Sequence, residues 1–174
     1  MKTFSLTRFA VLSVLIGSAT TVMAQTDSQK FTVVVPSNLS ITAPADISIT
    51  HDESDADQTF ATQQWVVKGN ELNGVSVSFA TDQAFKHSTE PTYKRNVKLD
   101  LSVASSLGPA TWSISQATDT TDYIGADEVA TVAASSNGVG RATFDLAVTF
   151  ITDSFGTFAS GNYETTVTGT VTSN

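Results

Sequence analysis

The sequence predicts an all-β fold, an antiparallel Ig-like β-sandwich of about seven to nine strands. Three observations carry this expectation. Apolar and polar residues alternate with a period of two along most of the chain, as in Phe144-Asp145-Leu146-Ala147-Val148-Thr149-Phe150. Turn-forming pairs separate these runs: Gly69-Asn70, Asn73-Gly74, Gly108-Pro109, Asn137-Gly138 and Gly161-Asn162. Thr and Val, which suit a pleated surface, are abundant, and no run past the N-terminus shows a 3.6-residue period.

In chain order, Lys2 and Arg8 precede the apolar run Phe9 to Gly17, which leads to Val22-Met23-Ala24. A basic region, a short apolar region and Ala before a cut describe a secretory signal peptide over residues 1–24. The run is shorter than the roughly 20 residues a membrane span needs. Export is therefore expected, to the periplasm, cell surface or medium, with no membrane insertion of the mature chain. Residues 25–174 are expected to form one sandwich domain, with the polar stretch 25–30 loose.

Phe31 to Val35 reads as the first strand, stopped by Pro36. Leu39-Ser40-Ile41-Thr42 and Ile47-Ser48-Ile49-Thr50 flank Pro44, and Thr62 to Lys68 holds Trp65, Val66 and Val67. The runs Val75–Phe79, Val97–Val103, Trp112–Ser115, Phe144–Phe150 and Tyr163–Val171 follow. Successive strand side chains point to opposite faces, so each run lays one apolar stripe on a core and one polar stripe toward water. The expected core is Val33, Val77, Phe79, Leu99, Leu101, Trp112, Ile114, Phe144, Leu146, Val148, Tyr163 and Val167.

Removing 24 residues from 174 leaves 150, enough for one domain with a useful core. The 9 basic residues include Lys2 and Arg8, which leaves 7 against 17 acidic ones and a formal charge of −10. That balance opposes binding to nucleic acid, whose phosphates require a basic surface, and to anionic lipid. The chain has no Cys, which removes disulfides, thiol chemistry and Cys-ligated metals.

Few residues suggest chemistry. Asp52, Glu53, Asp55 and Asp57 crowd four carboxylates into six residues. Calcium takes six to eight hard oxygens, so these four are the candidate cation ligands, although the glycine and closing glutamate of an EF-hand loop are missing. The alternative is a solvated acidic loop. His51 and His87 are the only histidines, and no Gly-x-Ser-x-Gly elbow accompanies them, so no catalytic residue is assigned. Trp65 and Trp112 suit either a sugar platform or a core; their alternating apolar surroundings favour the core. Phe31, Val33 and Val35 are candidate strand-exchange residues, because a terminal apolar strand can complete a neighbour's open sheet; the alternative is pairing within its own sheet, where the partner has the higher effective concentration.

At the other end, Gly161-Asn162-Tyr163 leads into Glu164-Thr165-Thr166-Val167-Thr168-Gly169-Thr170-Val171-Thr172. This run resembles the closing strand of the spore coat protein U and pilin-like secreted domains, and of WxL-type cell-surface domains. Spore-coat-U-like domains often carry cysteines, absent here, and Trp112-Ser113-Ile114 only approximates a WxL signature. The resemblance implies an exported module that assembles into, or attaches to, a surface layer or fibre. The expected function is thus a non-catalytic structural or adhesive subunit of a bacterial surface, fibre or matrix. Its expected partners are itself or other surface proteins. The alternative is a secreted module binding carbohydrate or calcium.

Overall fold

The structure is a computed structural model that describes Gln25 to Asn174, so the expected signal peptide lies outside the described residues. The chain divides after Val34. Residues 25–34 form neither helix nor strand and are exposed. Residues 35–174 carry thirteen strands and no helix.

The strands are β1 (Leu39–Thr42), β2 (Gln58–Thr59), β3 (Gln63–Gly69), β4 (Val75–Thr81), β5 (Phe85–His87), β6 (Lys94–Arg95) and β7 (Val97–Leu107). Then follow β8 (Trp112–Gln116), β9 (Thr118–Thr120), β10 (Thr131–Ser136), β11 (Gly140–Phe150), β12 (Tyr163–Glu164) and β13 (Val167–Ser173). The largest sheet runs β1-β3-β11-β7-β9, with β2 also paired to β11. A second sheet runs β13-β4-β10-β8, and a small third one runs β12-β5-β6. All pairings are antiparallel. The all-β antiparallel class expected from the sequence is therefore present, in a sandwich-like arrangement. The excess over nine strands comes from two- and three-residue pieces that leave no readable period.

Alternation explains the core. In β4 the side chains of Val75, Val77, Phe79 and Thr81 are buried, while Ser76 is exposed and Ser78 and Ala80 lie half-buried. In β11, Ala142, Phe144 and Leu146 are buried in the same rhythm. Four rings alternate between the two large sheets. Trp65 of β3 meets Phe79 of β4 at 5.2 Å, Phe79 meets Phe144 of β11 at 5.9 Å, and Phe144 meets Trp112 of β8 at 5.4 Å, all edge to face. Such pairs add to area burial because ring edges and faces carry opposite partial charge.

Two expected elements are absent. Phe31 to Val35 forms no strand, and Val33, expected in the core, is 87% exposed. Ile47 to Thr50 also forms no strand, and Ile47 and Ile49 are exposed. Both runs have β-forming composition, but a strand exists only where a neighbour accepts its hydrogen bonds. Val77, Phe79, Leu99, Leu101, Phe144 and Leu146 are buried as expected, and Trp112, Ile114, Val148, Tyr163 and Val167 pack half-buried against the core.

The third sheet closes one flank with aromatic residues. Phe85 stacks on Phe60 and tilts against Phe150, and Tyr163 lies edge-on to Phe150, Phe158 and His87. The Tyr163 hydroxyl donates to the Ala159 carbonyl at 3.0 Å. Burial raises its pKa above the ordinary 10.0, against the opposing pull of the Arg95 charge. A raised folded value favours the neutral phenol, so its contribution is intact below pH 10 and is lost as pH rises through the folded value. The urea midpoint is expected to fall more steeply above pH 10 in the native chain than in Tyr163→Phe. Parallel curves for the two proteins would refute this.

Candidate functional site: the free edge of β13 and an apolar N-terminal segment

A sheet edge presents unpaired N–H and C=O groups that another strand can join, and edges are ordinarily blunted by shortness, charge, proline or a bulge. The edges here differ in how they are treated. β1 has four residues and lies between Pro36 and Pro44. β9 has three, with Asp119 in the middle. β8 has five, and its pairing with β10 is broken by a register shift at Ala133/Ala134. β13 has seven residues, Val-Thr-Gly-Thr-Val-Thr-Ser, without charge or proline, in unbroken register against β4 from Val167↔Thr81 to Ser173↔Val75. It is the longest edge and the only one of these four without such protection.

The hydrogen-bond phase of β13 fixes which of its groups are free. Asp82 N–H donates to the Thr166 carbonyl at 2.9 Å, and Asn174 N–H donates to the Gly74 carbonyl at 3.1 Å. In an antiparallel pair, facing residues alternate between exchanging bonds and pointing away. With Thr166 and Asn174 both turned to β4, so are Thr168, Thr170 and Thr172. Val167, Gly169, Val171 and Ser173 therefore aim their N–H and C=O groups outward.

Of these four, Val167 and Val171 also turn their side chains toward the core, yet both stay half-buried. Leu39 and Ile41 of β1, on the same flank, are likewise half-buried. Gly169 lets the two sheets close here: a Cβ at that position would stand 2.5 Å from the Ile41 Cδ1 and 2.8 Å from the Trp65 ring. The flank is thus an apolar strip beside a row of backbone groups that no strand among the described residues pairs with.

Upstream, Phe31, Val33, Val34 and Val35 are 83, 87, 84 and 75% exposed. The chain becomes fixed immediately afterwards. Asn70 Nδ2 donates to the Pro36 carbonyl at 2.8 Å, Asn38 N–H donates to Asn70 Oδ1 at 2.6 Å, and Ser37 bonds Glu71. Asn70 and Glu71 belong to the turn between β3 and β4, so this end of the sandwich clamps residues 36–38.

The acidic residues do not converge. Asp52 Oδ1 accepts from Ser54 N–H and Oγ–H and from Gln58 Nε2, and these hydrogen bonds, chiefly those from Ser54, hold its carboxyl below the usual value. Asp55 Oδ1 accepts from Phe155 N–H at 2.7 Å, and Asp57 Oδ1 accepts from Thr152 N–H at 2.9 Å. Glu53 sits at the turn with φ +63°. Among the described residues no three acidic or histidine side chains gather to hold a metal ion. Asp52, Glu53, Asp55 and Asp57 are accordingly not brought together as a calcium cage, and three of the four bind the loop's own backbone or the 152–155 segment instead.

The histidines are also engaged. Thr152 Oγ1 donates to the Ala56 carbonyl, so it accepts from His51 Nε2–H at 3.0 Å, while His51 Nδ1 accepts from Glu53 N–H. His87, buried, accepts at Nδ1 from Thr89 and Glu90 N–H and donates from Nε2 to the Ser160 carbonyl. Trp65 is buried, and Trp112 is half-buried with its Nε1 enclosed and without a partner among the described residues. Both indoles serve the core.

No protein-family model, curated protein or solved structure matches the chain. The reading of this protein accordingly rests on its own residues. Sequence reasoning picked out Phe31, Val33 and Val35, but it missed the free edge of β13. Its available signal was a C-terminal run of alternating Thr and Val without a single charge.

Proposed function

We propose that this protein is an exported, non-catalytic structural or adhesive subunit of a bacterial surface, fibre or matrix, and that its copies or companions are joined by strand addition. The observation that carries this reading is the exposed apolar run Phe31 to Val35 ahead of a sandwich whose core is assembled without it. Exposing four large apolar side chains within five residues is unfavourable, at roughly 25 cal/mol per Å² of apolar surface left in water. A partner that covers them recovers that term, and backbone pairing adds direction. The acidic balance of the chain past residue 24 suits solubility before assembly. The three-part N-terminal pattern supports export.

Light scattering coupled to size exclusion is the test, on the chain from Gln25 beside one from Ser37. The longer chain is expected to associate in a concentration-dependent way, and the shorter one to stay monomeric with its melting temperature within a few degrees. A longer chain that remains monomeric at high concentration and binds neither cells nor matrix would overturn the reading.

A further inference from the structure

We propose that the outer face of the large sheet, at the Lys68–Arg141 pair, binds an acidic polysaccharide through its carboxylates. The inference deepens the adhesive half of the reading above, and it concerns a face of the sandwich that takes no part in strand addition. It starts from the sheet register. Lys68 of β3 and Arg141 of β11 stand directly opposite each other, and both are exposed. Like charges facing across an antiparallel pair oppose the pairing. A chain with 17 acidic residues and 9 basic ones has acids enough to answer either cation, yet neither enters an ion pair among the described residues. Glu71, in the turn after β3, accepts from Ser37. Asp145 lies roughly 13 Å further along β11 from Arg141 and accepts from Gln64 Nε2 at 3.1 Å. The two cations are thus a local positive spot on an acidic protein.

Beside them lies a shallow groove of about 190 Å³, lined by Ser105, Ser106, Leu107, Arg141 and Thr143. A bulge shapes it. Ser105 faces Thr143 and Val103 faces Phe144, so Ala104 is an extra residue in β7. An extra residue re-aims the side chains around it, and here both Ser105 and Ser106 reach the groove. An arginine fork takes a carboxylate through two parallel hydrogen bonds, and Lys68 adds a second positive charge one strand away. The three hydroxyls can donate to and accept from sugar hydroxyls, and Leu107 offers an apolar contact to the C–H face of a ring. A groove this small holds little more than one sugar unit, so useful affinity comes from a repeating chain that engages several copies at once. Nucleic acid fits less well. No aromatic ring lines the groove for a base to stack on, and the acidic remainder of the chain repels closely spaced phosphates.

Biolayer interferometry of the chain from Gln25 on immobilised polygalacturonate tests this, with the methyl-esterified polymer and duplex DNA as comparison surfaces. The unaltered chain is expected to bind polygalacturonate, more weakly as salt rises. It is expected not to bind the methyl ester, which has the same sugars without the charge. Arg141→Gln and Lys68→Gln are each expected to weaken binding on the order of tenfold. Arg141→Lys is expected to retain only part of the affinity, because the fork is lost. Lys98→Gln removes a cation already paired with Asp100 at 3.0 Å and is expected to bind as the unaltered chain does. Without polymer, Lys68→Gln is expected to melt no lower than the unaltered chain at low salt, since one of two opposed like charges is gone. No binding to polygalacturonate, equal binding by Arg141→Gln, equal binding to the methyl ester or tighter binding to DNA would each sink the proposal. Light scattering on the same samples reads association separately. Loss of this site therefore leaves strand addition standing, and a monomeric chain that binds polygalacturonate through Arg141 leaves this site standing.

Discussion

Phe79→Ala is expected to lower the unfolding free energy by about 3–5 kcal/mol, the largest loss of any single side-chain truncation in this protein. Phe79 is fully buried on β4, between β13 and β10. Its ring touches Trp65 and Phe144 on the facing sheet, so truncation removes two edge-to-face pairs as well as the transfer term. The cavity would open in the centre of the core, where the strands are held on both sides and cannot collapse into it. Urea denaturation measures the loss, with Thr168→Ala on the exposed face of β13 as reference. The reference is expected within about 0.5 kcal/mol of the native chain. A loss at Phe79 no larger than the reference would show that the two sheets do not pack through these rings.

Gly74→Ala is expected to cost about 2–6 kcal/mol although it adds one methyl group and deletes nothing. Gly74 ends the turn that joins β3 to β4, its N–H bonded to the Glu71 carbonyl at 3.0 Å and its φ at +86°. An L-residue there carries strain of about 1–3 kcal/mol. Its Cβ would also overlap the Ser136 carbonyl oxygen and stand 2.7 Å from the Gly138 nitrogen, both backbone atoms of the neighbouring turn. That crowding adds about 1–3 kcal/mol. Gly156 separates the two contributions, because its φ is +88° but a Cβ there meets nothing within 4 Å. Gly156→Ala is therefore expected to show the conformational part alone, and the difference between the two melting shifts reports the clash. Equal shifts would place the Ser136 carbonyl elsewhere.

Gly74 also links these energetics to the proposed assembly. Its carbonyl accepts from Asn174 N–H, and the Asn174 side chain donates to the Ser136 carbonyl at 2.9 Å. The C-terminal end of β13 is thus held by the same turn whose Asn70 clamps residues 36–38. A change that loosens this turn acts on both the end of β13 and residues 36–38.

Some features of this protein were written in the sequence because they depend on neighbours a few residues apart. Alternation in Val97 to Val103 and Phe144 to Phe150 placed Leu99, Leu101, Phe144 and Leu146 on one face, and a strand's pleat guarantees that such a face is shared. Turn pairs such as Asn73-Gly74 marked where left-handed backbone is needed. The apolar character of Phe31 to Val35 was equally legible. What it touches was not, since pairing is a property of two segments and strand order is not encoded locally. The same limit explains Ile47 to Thr50, which alternates but forms no strand. It explains the acidic residues too: spacing put Asp52, Asp55 and Asp57 within reach of one another, and the fold turned Asp55 and Asp57 to the backbone of Phe155 and Thr152. Only tertiary structure made β13 an edge, because a strand's outward groups are free or bonded according to what lies beside it, and that is settled by how distant parts of the chain pack.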